Sequence, residues 1–384
     1  MKTTEPYYGF EQGPIRPPSE AESLLIRITR NCPWNQCTFC SVYKETKFSI
    51  RPVENVLRDI DTVRFYVDVI ETAQNSEKPL SQSELLQRSA KSRKPDLSAF
   101  HAASSFVANG MQSIFIQDGN SLIMKPQNII QILLHLKDAF PKVERITSYA
   151  RSQTISKISD DNLSQMAAAG LNRIHIGMES GSDKVLKMVK KGADKTTHIL
   201  AGQKTKKAGI QLSEYVMPGL GGKSLSTENA LETADALNQI NPDFIRLRTL
   251  ALPPGAPLTQ QYNDGFFDKS GEVDTAKELL TLLENLDGIT STIRSDHVLN
   301  LFPEIDGQLP GDKEKMIQPL KDFLDLAPYE QMFFCIGRRT HRIANLADLK
   351  NPIQRKDVID MCSDLGATVD NFDDIIDLIM QRFI

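Results

Sequence analysis

Leu24-Leu-Ile-Arg-Ile-Thr-Arg-Asn-Cys-Pro-Trp-Asn-Gln-Cys-Thr-Phe-Cys40 is the stretch from which the fold is read. Its first part, Leu24–Ile28, is a short apolar run of the kind a buried strand needs. Its second part places Cys32, Cys37 and Cys40 on one short loop of turn-forming residues straight after that strand. Three thiolates do not complete a structural zinc site, which takes four protein ligands, usually as two close pairs. The other cysteines, Cys335 and Cys362, lie far along the chain, and the next histidine is His101. A four-iron cluster is met differently, because three cysteines leave one iron open for a ligand from outside the protein. Buried, inert thiols are the remaining reading. It does not suit three cysteines within nine residues of loop.

Outward from this loop, short apolar runs alternate with helical patterns. Strands are expected at Leu24–Thr29, Gln112–Gln117, Arg145–Tyr149, Arg173–Met178, Ile210–Met217 and Phe244–Leu250. From Gln112 the strand starts are 33, 28, 37 and 34 residues apart, each gap fitting one crossover helix. The pattern predicts an α/β fold: a partial (β/α)6 TIM-like barrel of parallel strands with a helical C-terminal extension. Residues 1–23 read as an extended lead-in, 24–260 as the barrel core and 261–384 as a mostly helical region. The polar stretch at about 75–105 reads as a surface insertion rather than a second strand.

Composition narrows the functional class. The chain has 384 residues, 40% hydrophobic and 24% charged, as an ordinary globular protein has. Its 45 basic and 49 acidic residues give a net charge of -4, with no overall electrostatic footprint for nucleic acid. No apolar run reaches the roughly 18 residues of a membrane helix, and the N-terminus lacks the apolar core of a signal peptide. Five cysteines, three of them clustered, make no disulfide framework, so a cytoplasmic, reducing setting is expected.

The strand ends carry the remaining signals. An open iron accepts a ligand that chelates through an amine and a carboxylate, and the methionine part of S-adenosylmethionine offers both. The cysteine loop resembles the cluster loop of the radical S-adenosylmethionine (radical SAM) superfamily. The branch it looks like contains Elongator-type, coproporphyrinogen oxidase and methylthiotransferase enzymes. That resemblance implies a [4Fe-4S] cluster on Cys32, Cys37 and Cys40, with Phe39 near the adenine of the cofactor. The departure is an extra residue, since Pro33-Trp-Asn-Gln36 makes four between the first two cysteines where the family has three.

Later segments match in order. Gln117, Asp118 and Gly119 stand where the family receives the cofactor's amino group, without its common Gly-Gly-Glu. Ser148 and Arg151 end the third strand, and Glu179 and Ser180 match positions near the ribose and amino-acid parts. Ser182 with Asp183 also reads as ordinary helix capping. Tyr215 opens the turn after the fifth strand, and Pro254-Gly-Ala-Pro-Leu258 resembles a Pro-Gly-Thr-Pro-Leu turn of the same branch. Arg246 and Arg248 share one strand face, and a buried arginine needs an acid.

Gly222-Lys-Ser224 mimics the end of a phosphate loop, but Met217 stands at its first glycine. The lysines around Lys184–Lys191 read as a solvated helix face. Asp296-His297 reads as a base at the barrel mouth or as a surface loop.

The activity implied is reductive cleavage of S-adenosylmethionine to a 5′-deoxyadenosyl radical that abstracts hydrogen from a small-molecule or peptide substrate. A flavodoxin or ferredoxin type of protein would be the one-electron donor. Two alternatives stay open: transfer of a 3-amino-3-carboxypropyl group, and an iron–sulfur electron-transfer or sensor protein without substrate chemistry.

Overall fold

The computed structural model of the protein describes residues 5–74, 80–90 and 94–381. The chain divides into two compact units. The first comprises residues 1–35, 45–176 and 203–212, and the second 36–44, 177–202 and 213–384.

In the first unit, β1 (Leu24–Arg27) leads into a short ribbon of β2 (Thr29–Arg30) and β3 (Ser49–Ile50). Helices α1 (Val53–Gln74), α2 (Gln82–Ala90) and α3 (Leu97–Ala108) precede β4 (Ser113–Gln117). Then come α4 (Pro126–Ala139), β5 (Arg145–Ala150), α5 (Ser152–Ile155), α6 (Asp160–Ala168) and β6 (Leu171–Glu179). The strand order is β1-β4-β5-β6, all parallel, with Leu24 opposite Ile114 and Ile116 opposite Ser148. The central strand β4 is buried from Ile114 to Gln117, which is why it reads as a continuous apolar run.

No strand lies between α1 and β4 among the described residues. Of the expected insertion, residues 75–79 and 91–93 lie outside the described residues. Its end is not a surface loop, because α3 buries Ala99, Phe100, Ala103 and Phe106. Asp96 caps α3 by accepting from the Ala99 N–H at 3.0 Å, and Phe100 meets Tyr66 of α1 edge to face at 5.6 Å.

The second unit begins its helical part with α7 (Asp183–Met188) and α8 (Lys195–Lys207). It continues through β7 (Gln211–Val216), α9 (Gly222–Ile240) and β8 (Phe244–Leu247). Beyond α10 (Pro257–Asn263) and α11 (Glu272–Asn285) come β9 (Thr292–Arg294) and β10 (Gly307–Gln308). Strands β7, β8 and β9 are parallel neighbours, and β10 closes the edge antiparallel to β9. The region past 261 therefore adds two strands to the helices expected there. Strand β9 is three residues long, too short to show a period, and it forms because Phe244 of β8 pairs with Thr292. Helices α12 (Lys313–Leu324) and α13 (Pro328–Arg339) bring Phe323 and Phe334 against Phe302, and α14 (Pro352–Asp364) and α15 (Phe372–Met380) pack on α13. No helix of the described residues is long and apolar enough to cross a membrane.

Candidate active site

The cysteine loop starts from backbone that only short polar residues accept readily. Asn31 (φ 68) and Asn35 (φ 46) both adopt left-handed conformations, where Asn costs less than other side chains. None of the three cysteines is in a disulfide among the described residues, and all are half-buried. The Asn35 N–H donates to Cys32 Sγ at 3.5 Å. In the second unit, the main chain of Thr38 is held on both sides. Its N–H donates to the Val189 carbonyl at 2.9 Å, and its carbonyl accepts from the Leu258 N–H at 2.8 Å. This seats Phe39 against an apolar cluster that includes Val185, Val189, Met217, Leu250 and Leu258. Among the described residues no three His, Cys, Asp or Glu side chains gather to hold a single metal ion. The donor set fits an iron–sulfur cluster instead: three accessible thiols, one carrying a main-chain N–H···S bond of the kind that tunes such clusters.

Beside Phe39 stands a compact charged group. Glu179, at the end of β6, has φ 66, and its carbonyl accepts from the Met217 N–H at 2.8 Å. Lys191 donates to Glu179 Oε1 at 3.0 Å and lies 5.8 Å from the Phe39 ring centroid. Gly177 leaves room for this pair, since a Cβ there would fall 2.2 Å from Glu179 Oε1. Behind them, Glu214 of β7 is fully buried and neither carboxylate oxygen has a hydrogen-bond partner among the described residues. Burial pushes its pKa well above the usual value; Lys191 opposes the shift and Glu179 adds to it. The Met178 N–H also favours the charged form but stays outside bonding geometry. Lys191 is thus no part of a solvated face, being 9% exposed. Lys190 (φ 53) and Gly192 (φ 71) reverse the chain around it.

The other expected residues are placed as follows. Gln117 accepts from the Gly13 N–H at 2.8 Å and donates to the Gly13 and Ile15 carbonyls at 3.1 and 3.0 Å. Asp118 (φ 76) is buried and paired with Arg27, and Gly119 follows in the same turn. These positions face the lead-in, which the sequence reading left without a role. Ser148 is buried, with its hydroxyl donating to the Tyr149 carbonyl at 3.3 Å. The Arg151 guanidinium lies 5.0 Å from the Trp34 ring centroid, which ties the four-residue spacer to the end of β5. Ser180 donates to Asn229, and Ser182 caps α7 through the Val185 N–H at 3.3 Å. Tyr215 is half-buried on β7. Arg246 is paired with Asp296 at 2.7 Å, while Arg248 is exposed.

The phosphate-loop mimic is filled from within. Glu278 accepts from the Gly219 N–H at 2.9 Å, from Ser226 at 2.7 Å and from Asn229 at 2.7 Å. A phosphate has no place where a carboxylate already sits. Cys335 and Cys362 are buried on α13 and α14, and burial raises both thiols, that of Cys362 to about 11.

Among known proteins, the model of the Radical SAM superfamily matches residues 26–234. A tRNA uridine(34) acetyltransferase of Methanocaldococcus infernus is 26% identical over 110 residues, 28% of this chain and 21% of that protein. This chain therefore spans about a fifth of the curated relative. Among solved structures, methylornithine synthase (PylB) is 15% identical with a TM-score of 0.43, covering 71% of this chain and 64% of its own. Coproporphyrinogen III oxidase (HemN) of Escherichia coli is 15% identical with a TM-score of 0.44, covering 69% and 52%. Elp3 of Methanocaldococcus infernus is 18% identical with a TM-score of 0.41, covering 58% and 57%.

Proposed function

The chain belongs to the radical SAM superfamily of enzymes, which use a [4Fe-4S] cluster and S-adenosylmethionine, and on that premise we propose a hydrogen-abstracting radical enzyme. In this reading Cys32, Cys37 and Cys40 hold the cluster. A cluster held there would supply the electron for breaking the S–C5′ bond of the cofactor, with methionine as the leaving fragment and the substrate as hydrogen donor. The protein's own residues bind and orient. Phe39 offers an aromatic face, Glu179 an acceptor for hydroxyl or ammonium groups, and Lys191 a cation that fixes Glu179 and can meet a carboxylate. The burial that raises the pKa of Glu214 opposes a second negative charge in that corner. The half-exposed thiols fit a reducing cytoplasm, and a flavodoxin or ferredoxin type of donor would deliver the electron.

The observation that carries the reading is the suspension of Thr38 between Val189 and Leu258, which fixes the Phe39-bearing half of the loop beside Glu179 and Lys191. The test is anaerobic reconstitution, reduction with dithionite and addition of S-adenosylmethionine. The expected results are a changed EPR signal and 5′-deoxyadenosine. Methylthioadenosine in its place would establish 3-amino-3-carboxypropyl transfer. An EPR signal indifferent to the cofactor, with no cleavage product, would leave an electron-transfer or sensor protein.

A further inference from the structure

The chain leaving β9, Ser295–Asn300, forms one wall of a cavity of about 640 Å³ in the second unit. The end of α13 and the residues after it form the other wall. The β9 wall is fixed in place. Asn300 donates to the Leu247 carbonyl at 2.8 Å and accepts from the Thr249 N–H at 2.9 Å, joining it to the carboxyl end of β8. Arg339 donates to the carbonyls of Val298 at 3.4 Å and Leu299 at 3.0 Å.

Three groups in this cavity keep hydrogen-bonding capacity to spare. Ser295 is 2% exposed, and its hydroxyl has no partner among the described residues. His297 accepts the Leu299 N–H on Nδ1 at 3.2 Å, so the neutral ring carries its proton on Nε2. The ring stays neutral because burial, with the charge of Arg248, pushes its pKa down to about 4 against the pull of Asp296. His297 is therefore a donor and not the base that its sequence position invites. The third group is Arg338. It gives Nε to the Leu301 carbonyl at 3.3 Å, and its nearest acid, Glu304, stays 3.6 Å away. Burial lowers its pKa, as expected of a cation not fully compensated.

The acids and the other cations of the same walls are already engaged. Arg339 is paired with Glu272 at 2.7 Å and Arg342 with Asp357 at 3.0 Å. Asp296 is held by Arg246 at 2.7 Å, and Asp348 accepts the N–H groups of Ala344 and Asn345 at 2.6 and 3.2 Å. What remains is a surplus of donors around one under-neutralised guanidinium. Donors in such an arrangement suit an oxyanion, since a charge-assisted bond is about twice as strong as a neutral one.

We propose that this cavity binds an anionic oxygen group, a carboxylate or a phosphate, through Ser295, His297 and Arg338, and that the group belongs to the enzyme's substrate. The binding stands by itself. Its attribution to substrate rests on the radical reading above and on the cavity wall that leaves the carboxyl end of the parallel strand β9, where barrel sites are built.

The experiment is calorimetric titration of the full-length reconstituted protein with inorganic phosphate and, separately, with succinate, at ionic strength held constant with potassium chloride. Saturable binding of one anion per chain is expected. Phosphate without succinate assigns a phosphorylated group, and succinate without phosphate a carboxylate. Arg338→Gln and His297→Phe should each weaken binding about tenfold or more, and Arg338→Lys should restore part of it. Ser295→Ala, which removes one unpartnered hydroxyl and no packing contact of size, should weaken it several-fold and decides the matter if Arg338→Gln does not fold. No saturable binding, or binding unchanged in the folded variants, overturns the proposal. Absence of anion binding by the unsubstituted protein, with an intact EPR response to S-adenosylmethionine, overturns the cavity assignment alone. Anion binding without that response overturns the radical reading alone.

Discussion

At the scale of single residues, Lys191 decides the electrostatics beside Phe39. It holds Glu179 and sits close enough to oppose the shift on Glu214. Lys191→Met leaves Glu179 largely buried without its cation, and breaking such a pair costs about 3 kcal/mol. Urea unfolding of the variant should register that loss, and unchanged stability would remove the pair from the account. Glu214 acts in the opposite sense to most acids. Its folded pKa is raised, so the folded state holds the proton more tightly than the unfolded chain does. Its contribution favours folding at acid pH and is lost as pH rises through the folded value. Glu214→Gln should therefore flatten the fall in stability as pH rises above the ordinary carboxylate value of 4.5, and equal slopes in both proteins would count against this reading. The sequence concealed Lys191 among its neighbours. A helical pattern carries the chain outward through Lys184 and Lys187, and only the two left-handed residues around Lys191 turn it in. Glu179 came into view through the family resemblance, at the residue after the expected strand Arg173–Met178.

At the scale of elements, a single 3-10 turn, Pro18–Glu20, anchors the lead-in. Burial opposes the charge on Glu20, but hydrogen bonds from His175 and Ser23 and the charge of Arg145 outweigh it and hold the pKa at about 2. This stability is fully present above the unfolded value near 4.5 and is lost as pH falls toward 2. Glu20→Gln should cost about 3 kcal/mol at pH 7 and far less at pH 3, as read from denaturation at both. The junction of β6 with α7 is tighter still. A Cβ on Gly181 would sit 2.2 Å from the Glu232 carbonyl oxygen. Backbone does not yield as a flexible side chain does, so Gly181→Ala should cost about 1–3 kcal/mol or more, seen as a lower Tm. The sequence reading found the six longer strands because buried parallel strands are unbroken apolar runs. It missed β9 and β10, whose three and two residues carry no period and exist only through pairing. It took most of α3 into the insertion at about 75–105, because the buried face of that helix follows directly on a polar stretch.

At the scale of the whole molecule, folding and cofactor binding are linked. A ligand bound only by the folded state at a hundred times its Kd adds about 2.7 kcal/mol. Anaerobic reconstitution followed by S-adenosylmethionine should raise the Tm in two steps. Neither step should appear in the triple variant in which Cys32, Cys37 and Cys40 are replaced by Ala. A second rise in that variant would mean that the cofactor binds without a cluster. The fold class was legible at this scale because alternation of strands and helices is a property of the whole chain. The partners of Gln117 were not, because Gly13 and Ile15 lie about a hundred positions earlier in a lead-in that has no pattern of its own.

Those early residues also set a balance of charge. Glu5 and Glu11 meet Arg30, and Glu11 also reaches Arg27 and Arg51. Asp59 and Asp118 are the other acids paired with this set of arginines. A proteolytic cut or an engineered deletion removing the first sixteen residues would leave three cations facing two anions. The patch would change sign from acidic to basic next to the strand that leads to Cys32, so a shortened protein would present a different electrostatic face to any redox protein that approaches it.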